Sequence, residues 1–187
     1  WDAVIDPSGY VPRIVRKSAE YLSKLATHYT FISSISVYSD FSKMYLDESD
    51  PVGSLEDNTV EEITGETYGP LKALCEKEVQ RFFPENSLIV RPGLIVGPHD
   101  PTDRFTYWPS RLYRGGQVLA PGTGEAYVQF IDVRDLSLWI IKGIEQRDQG
   151  IYNVTGEAAQ LTFKEFLESC QRVCERLGRH SELVWVD

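Results

Sequence analysis

Short apolar runs of strand type alternate with helical patterning through the first half of this chain, and that alternation limits its possible folds more than any other feature. Ala3-Val4-Ile5 reads as a buried strand, closed by the turn formers Pro7-Ser8-Gly9. Pro12 suits the first position of a helix, and Ile14, Val15, Ala19, Leu22 and Leu25 give that helix an apolar face up to about Thr27. Tyr29 to Val37 is aromatic and β-branched, which predicts a second buried strand. It carries three serines, an unusual load for a strand that only fills a core. From Ser39 to about Glu66 the chain is polar and acidic, and loops of that length inside compact domains are functional or mobile. A helix then runs from Thr67 to near Pro84, and Ser87 to Arg91 reads as a third strand, broken by Pro92-Gly93. Buried strands alternating with helices predict an α/β fold with right-handed crossovers in a parallel sheet. Ligands of such sheets bind beyond the carboxyl ends of the strands. Pro7-Ser8-Gly9, Ser34 to Ser36 and Pro92-Gly93 all fall at those ends.

The second half has a different texture. His99 to Arg104 is a polar loop, and Phe105 to Arg114 reads as an aromatic helix ended by Gly115-Gly116. Short strands are expected at 118–120 and 127–131, a helix with Leu136, Trp139, Ile140 and Ile144 on its core face, and a strand at 151–154. Thr162 and Glu165 form a capping box for a helix that runs to Leu177, with Gly178 just past its end. Leu183 to Val186 closes as a strand.

Within the helix at 67–83, Tyr68 and Lys72 stand four residues apart and so share one face. A free phenol titrates near pH 10, and bringing it down by three pH units costs roughly 4 kcal/mol. A cation about 4 Å away at an effective dielectric of ~20 supplies about that much. The pair is therefore able to move a proton near neutral pH, although the spacing alone also suits an exposed lysine beside a half-buried tyrosine.

Composition narrows the partners. A net charge of -9 and a pI of about 4.9 make the surface repel a phosphate backbone, so no nucleic acid partner is expected. No apolar run approaches the ~20 residues of a membrane span. Cys170 and Cys174, at helical spacing with no histidine cluster beside them, read as a reduced pair rather than metal ligands. We expect a cytoplasmic protein that holds no metal. Trp1 leads straight into a buried-type strand, which needs neighbours on both sides, so the chain reads as the later part of a longer protein.

Four landmarks resemble the extended short-chain dehydrogenase/reductase family, in its NAD-dependent epimerase/dehydratase group. They are Ser33-Ser-Ile-Ser-Val-Tyr38, Tyr68-x-x-x-Lys72, Arg91-Pro-Gly-Leu-Ile-Val-Gly-Pro98, and Phe130 to Leu136 followed by Tyr152-Asn-Val-Thr-Gly156. The resemblance implies the later part of a doubly wound Rossmann-type sheet over residues 1–98. It also implies a small α+β substrate-binding lobe over 99–187, with segments around 117–153 returning to the main domain. It implies NAD or NADP as cofactor and a sugar nucleotide or small metabolite as substrate. By the same resemblance Tyr68 is the general acid/base, and Lys72 lowers its pKa and binds the nicotinamide ribose. Ser34 is the catalytic hydroxyl, with Ser33 or Ser36 as alternatives for that role. Pro7, Ser8, Gly9, Pro92 and Gly93 would lie along the cofactor, and Ser36, His99, Arg104 and Tyr107 would face the substrate. His99 and Arg104 also read as a solvated turn. The helices at 12–27 and 67–83 would pair with a second copy in a homodimer, with Ala73, Leu74 and Val79 either on that face or in the core.

Two departures from the family matter. The glycine-rich phosphate turn is absent from these residues, although the cofactor's pyrophosphate depends on it. Ile35 and Ser36 also stand where the dehydratase branch has an acidic pair, which argues against sugar dehydration. The competing reading is a catalytically silent relative that binds a nucleotide or RNA as a regulator. Retention of the Tyr68–Lys72 pair disfavours it.

Overall fold

The computed structural model describes residues 1–156 and 160–186. In chain order the strands are β1 (Val4–Asp6), β2 (Tyr29–Ile32), β3 (Ser87–Pro92), β4 (Leu94–Val96), β5 (Gly116–Pro121), β6 (Tyr127–Val128), β7 (Phe130–Asp132), β8 (Gly150–Val154), β9 (Leu161–Thr162) and β10 (Ser181–Val186). The helices are α1 (Pro12–Leu22), α2 (Tyr68–Phe82), α3 (Tyr107–Tyr113), α4 (Val133–Gln146) and α5 (Phe163–Arg176), with a 3-10 turn at Ile35–Val37. The chain divides into two units, 1–95 with 133–155 and 96–132 with 156–187.

The first unit is built on a four-stranded sheet in the order β1-β2-β3-β8, parallel throughout. Alternation sorts its side chains. Tyr29 and Phe31 of β2 and Ile89 of β3 point to one face, where they bury Val15 and Ala19 of α1 and Cys75, Val79 and Phe83 from α2 and its end. Each large apolar side chain so buried stabilises the unit by about 1.5–3 kcal/mol. Leu88 points to the other face and meets α4, where a Cβ on Gly143 would lie 3.1 Å from Leu88 Cδ2. The parallel sheet is the one the strand pattern predicts, and helices on both its faces are the doubly wound arrangement that the family resemblance implies. Ala73 and Val79 belong to the core, and Leu74 is half-buried.

One strand is shorter than its residues suggest. The β pattern runs from Tyr29 to Val37, but pairing stops at Ile32. Ser34 Oγ accepts the amide N–H of Ser36 at 3.1 Å and opens the 3-10 turn instead. A serine that bonds its own backbone two residues on competes with the ladder, and here it wins. From Ser39 to Glu66 there is no helix or paired strand beyond a single bridge between Tyr38 and Val52, as the long-loop reading expects.

The second unit packs Leu112, Val118, Ala120, Phe166, Leu167 and Cys174 into a core of its own, rimmed by Phe105, Trp108, Phe130, Phe163 and Trp185. β5 and β10 pair in parallel, and β6 and β9 antiparallel. The capping box forms as read: Thr162 Oγ1 accepts from the Glu165 amide, and Glu165 accepts from the Thr162 amide. Gly178 follows the helix end with φ of +72°. Cys170 and Cys174 are free thiols.

Candidate active site

All four strands of the first sheet run the same way, so their carboxyl ends share one edge. A close approach at Gly69 and the hydrogen bonds of Lys72 hold α2 against that edge. Gly69 faces the carbonyl of Ser36 so closely that a Cβ there would lie 2.0 Å from the oxygen, so only glycine fits. Tyr68, half-buried, opens the helix and donates its amide to Thr64 O at 3.0 Å. One turn further, Lys72 runs inward and is 2% exposed. Its Nζ donates to Gly9 O at 2.7 Å, in the loop after β1, and to Ile32 O at 2.6 Å, at the end of β2. Burial pulls the ammonium down to about 8, against the carboxylates of Asp6 and Glu76. An ammonium so held, one turn from a phenol, is suited to proton transfer near neutral pH.

The neighbouring groups are poor candidates. Burial pushes the Cys75 thiol up to about 12, so it stays protonated and is no nucleophile. Tyr29 is fully buried and donates to Asp6 Oδ2 at 2.8 Å, and burial holds its phenol well above the ordinary range.

The three serines separate by partner. Ser33 is buried, and its hydroxyl donates to Glu76 Oε1 at 2.5 Å. Ser34 is half-buried, and its hydroxyl meets both the amide and the hydroxyl of Ser36 at 3.1 Å. Ser36 is exposed. The acceptor of Ser33 is also one half of a buried ion pair: Arg91 of β3 donates Nε to Glu76 Oε1 at 3.0 Å and Nη2 to Oε2 at 2.7 Å. Both side chains are under 5% exposed. Burial works against the Arg91 charge, but Glu76 outweighs it and the guanidinium stays firmly protonated. Arg91 also donates to the Tyr38 hydroxyl, which donates to Asn153 Oδ1 at 2.7 Å, while the Asn153 amide donates to Glu48 Oε1 at 2.6 Å. The long acidic loop is thereby tied to β3 and β8.

Of the other residues expected to lie along a cofactor, Pro7 and Ser8 are exposed, with the Ser8 amide on Asp6 Oδ1 at 3.1 Å. Gly9 is buried under Lys72. Pro92 ends β3, and Gly93 donates its amide to Val154 O at 3.3 Å, so it lies beside the end of β8. His99, Arg104 and Tyr107 belong to the second unit. His99 is exposed with φ of +70°, Arg104 bonds Thr102 Oγ1 at 2.9 Å, and Tyr107 packs edge-on against Trp108. Sequence reasoning missed the Glu76–Arg91 pair, although an arginine inside Leu88-Ile-Val-Arg91 was the available signal. It also missed Tyr10, whose ring lies 6.1 Å from that of Tyr68.

Residues 13–155 match the NAD dependent epimerase/dehydratase family. The chain belongs to this family. No curated protein matches it by sequence. Among solved structures, it is similar to a dTDP-4-dehydrorhamnose reductase from Clostridium acetobutylicum, at 15% identity and a TM-score of 0.72 over 99% of this chain and 65% of the reductase. The UDP-N-acetylglucosamine 4-epimerase of Bacillus cereus gives 16% and 0.75 over 100% of this chain and 66% of that one. The UDP-glucuronic acid 4-epimerase of Bacillus cereus, solved with NAD, gives 15% and 0.69 over 98% and 60%. This family member thus spans 60–66% of the length of those three structures. At such identities the likeness is one of fold, and it supports the parallel α/β reading. Among the described residues no helix is long and apolar enough to cross a membrane.

Proposed function

We propose that the protein is an NAD(P)-dependent oxidoreductase or epimerase acting on a hydroxyl or carbonyl of a sugar nucleotide or small metabolite. The observation that carries this reading is Lys72: an ammonium 2% exposed, lowered to about 8 and fixed to the ends of β1 and β2, one helical turn from Tyr68. Family membership supports the same reading. The donor set fits the nicotinamide-ribose end of such a cofactor. Lys72 has three N–H donors, of which two go to Gly9 O and Ile32 O, and a third is suited to a ribose hydroxyl.

When bound, the cofactor supplies the hydride acceptor or donor. In the oxidative direction Tyr68 takes the proton of the substrate hydroxyl through its phenolic oxygen. The carbon–hydrogen bond breaks as hydride, and the carbonyl forms. Lys72 favours the phenolate by its charge, and the Ser34 hydroxyl donates to the substrate oxygen as charge shifts on it. In the reverse direction Tyr68 returns the proton. We assign the catalytic hydroxyl to Ser34 over Ser33, because Ser33 is buried and bonded to the Glu76 carboxylate, whereas Ser34 is half-buried and donates to the exposed, neutral Ser36 hydroxyl.

Tyr68→Phe removes the transferable proton and leaves the helix intact. Turnover should fall roughly a thousandfold while cofactor affinity, read by titration calorimetry, stays within a few-fold. Undiminished turnover in this variant would sink the mechanism. We infer further that α1 and α2 pair with a second copy of the chain, for which the exposed Ile14 and Tyr21 on α1 are the support.

A further inference from the structure

Gly9 does two things at the end of β1. Its carbonyl accepts the Lys72 ammonium, and its lack of a side chain lets the backbone sit where a Cβ would lie 2.6 Å from Val15 Cγ2 and 2.7 Å from Phe31 Cε2. The next residue, Tyr10, therefore leaves the backbone from a fixed point directly beside Lys72. Its ring centroid lies 5.1 Å from Lys72 Nζ and 6.1 Å from the Tyr68 ring, tilted by 41°. Phe31 meets the same ammonium at 4.3 Å. Tyr10 is 43% exposed while Lys72, against its ring, is 2% exposed.

We propose that Tyr10 is a positioning residue of this site: its ring roofs the Lys72 ammonium, keeps water from it and packs Tyr68 beside it. The proposal rests on Tyr68 and Lys72 being the acid-base pair. An aromatic face suits the place, because it attracts a cation while excluding the water that would solvate it. The titratable groups that face Lys72 are Asp6 at the end of β1, Cys75 and Glu76 on α2, and Tyr10. Glu76 has its charge matched by Arg91, and Phe31 is fully buried, so removal of the partly exposed Tyr10 ring is the change that admits water.

The test is the titration of Lys72 in the intact protein, followed through its side-chain carbon resonance after 13C-lysine labelling and assigned by its loss in Lys72→Arg. In the native protein the midpoint should lie near 8. Tyr10→Ala admits water and should raise it by about one pH unit, since the regained hydration outweighs the lost ring attraction. Tyr10→Phe keeps the ring and should leave the midpoint within a few tenths of a pH unit. Tyr10→Gln exposes the ammonium by the same logic and serves if alanine unfolds the loop. An unmoved midpoint in the alanine or glutamine variant overturns the proposal. So does a shift in Tyr10→Phe equal to that in Tyr10→Ala, which would assign the effect to the hydroxyl. The titration needs no turnover, so a failure of the roof is distinguishable from a failure of the catalytic reading, which Tyr68→Phe tests.

Discussion

Lys72 holds a charge where water is nearly excluded, and that has a consequence for stability that is separate from catalysis. An ordinary lysine titrates at 10.5, and burial lowers Lys72 to about 8. Between those values the unfolded chain binds more protons than the folded one, so stability rises with pH through that window. The penalty of the buried ammonium is full below pH 8 and relieved above about 10.5. The stability of the native protein relative to Lys72→Met, from urea unfolding at pH 7.5 and pH 10, should therefore increase by roughly 2 kcal/mol at the higher pH. A difference that does not change with pH would mean that Lys72 titrates as an exposed side chain. The spacing of Tyr68 and Lys72 is legible in the sequence because one helix sets it. Tyr10 was not legible, because its place depends on a lysine 62 positions away reaching back to Gly9 O.

Elements meet here through a few enforced contacts. α2 lies against the serine turn because Gly69 has no side chain, and it is pinned to β3 by the pair of Glu76 and Arg91. Removing one member of a buried ion pair leaves the other charge uncompensated. Arg91→Met should cost about 3–5 kcal/mol in unfolding free energy. Adding Glu76→Leu should recover most of that loss, and denaturant midpoints of the single and double variants check it. An additive double variant would show that the pair is not coupled. The elements themselves were largely readable, since strand and helix periods are local. β2 was overextended because Ser33 to Val37 has strand composition, and only the bond from the Ser36 amide to Ser34 Oγ ends the ladder.

At the scale of the molecule, α1 carries an apolar stripe that its own unit leaves uncovered. Ile14 is 51% and Tyr21 66% exposed, seven residues apart and so on one face, with Leu25 46% exposed beyond the helix end. Ala73 and Val79 of α2 lie in the core, so α1 offers the clearer pairing surface. If two copies pair through it, sedimentation equilibrium should give twice the chain mass, and Ile14→Lys with Tyr21→Lys should give a monomer with unchanged far-ultraviolet dichroism. A monomeric native protein would remove the assembly reading without touching the catalytic one. The net charge of -9 makes the salt dependence informative, because self-repulsion weakens pairing most at low salt.

The sequence by itself determined the alternation of strands and helices, the parallel sheet, the capping of α5 and the spacing of Tyr68 and Lys72. Each is a matter of local period or of residues within one turn. The tertiary structure alone decided which serine is occupied by Glu76, how Arg91 is neutralised, what accepts the Lys72 ammonium, and that Tyr10 covers it. Those depend on residues 15 to 63 positions apart meeting at one sheet edge, and no local pattern records such meetings.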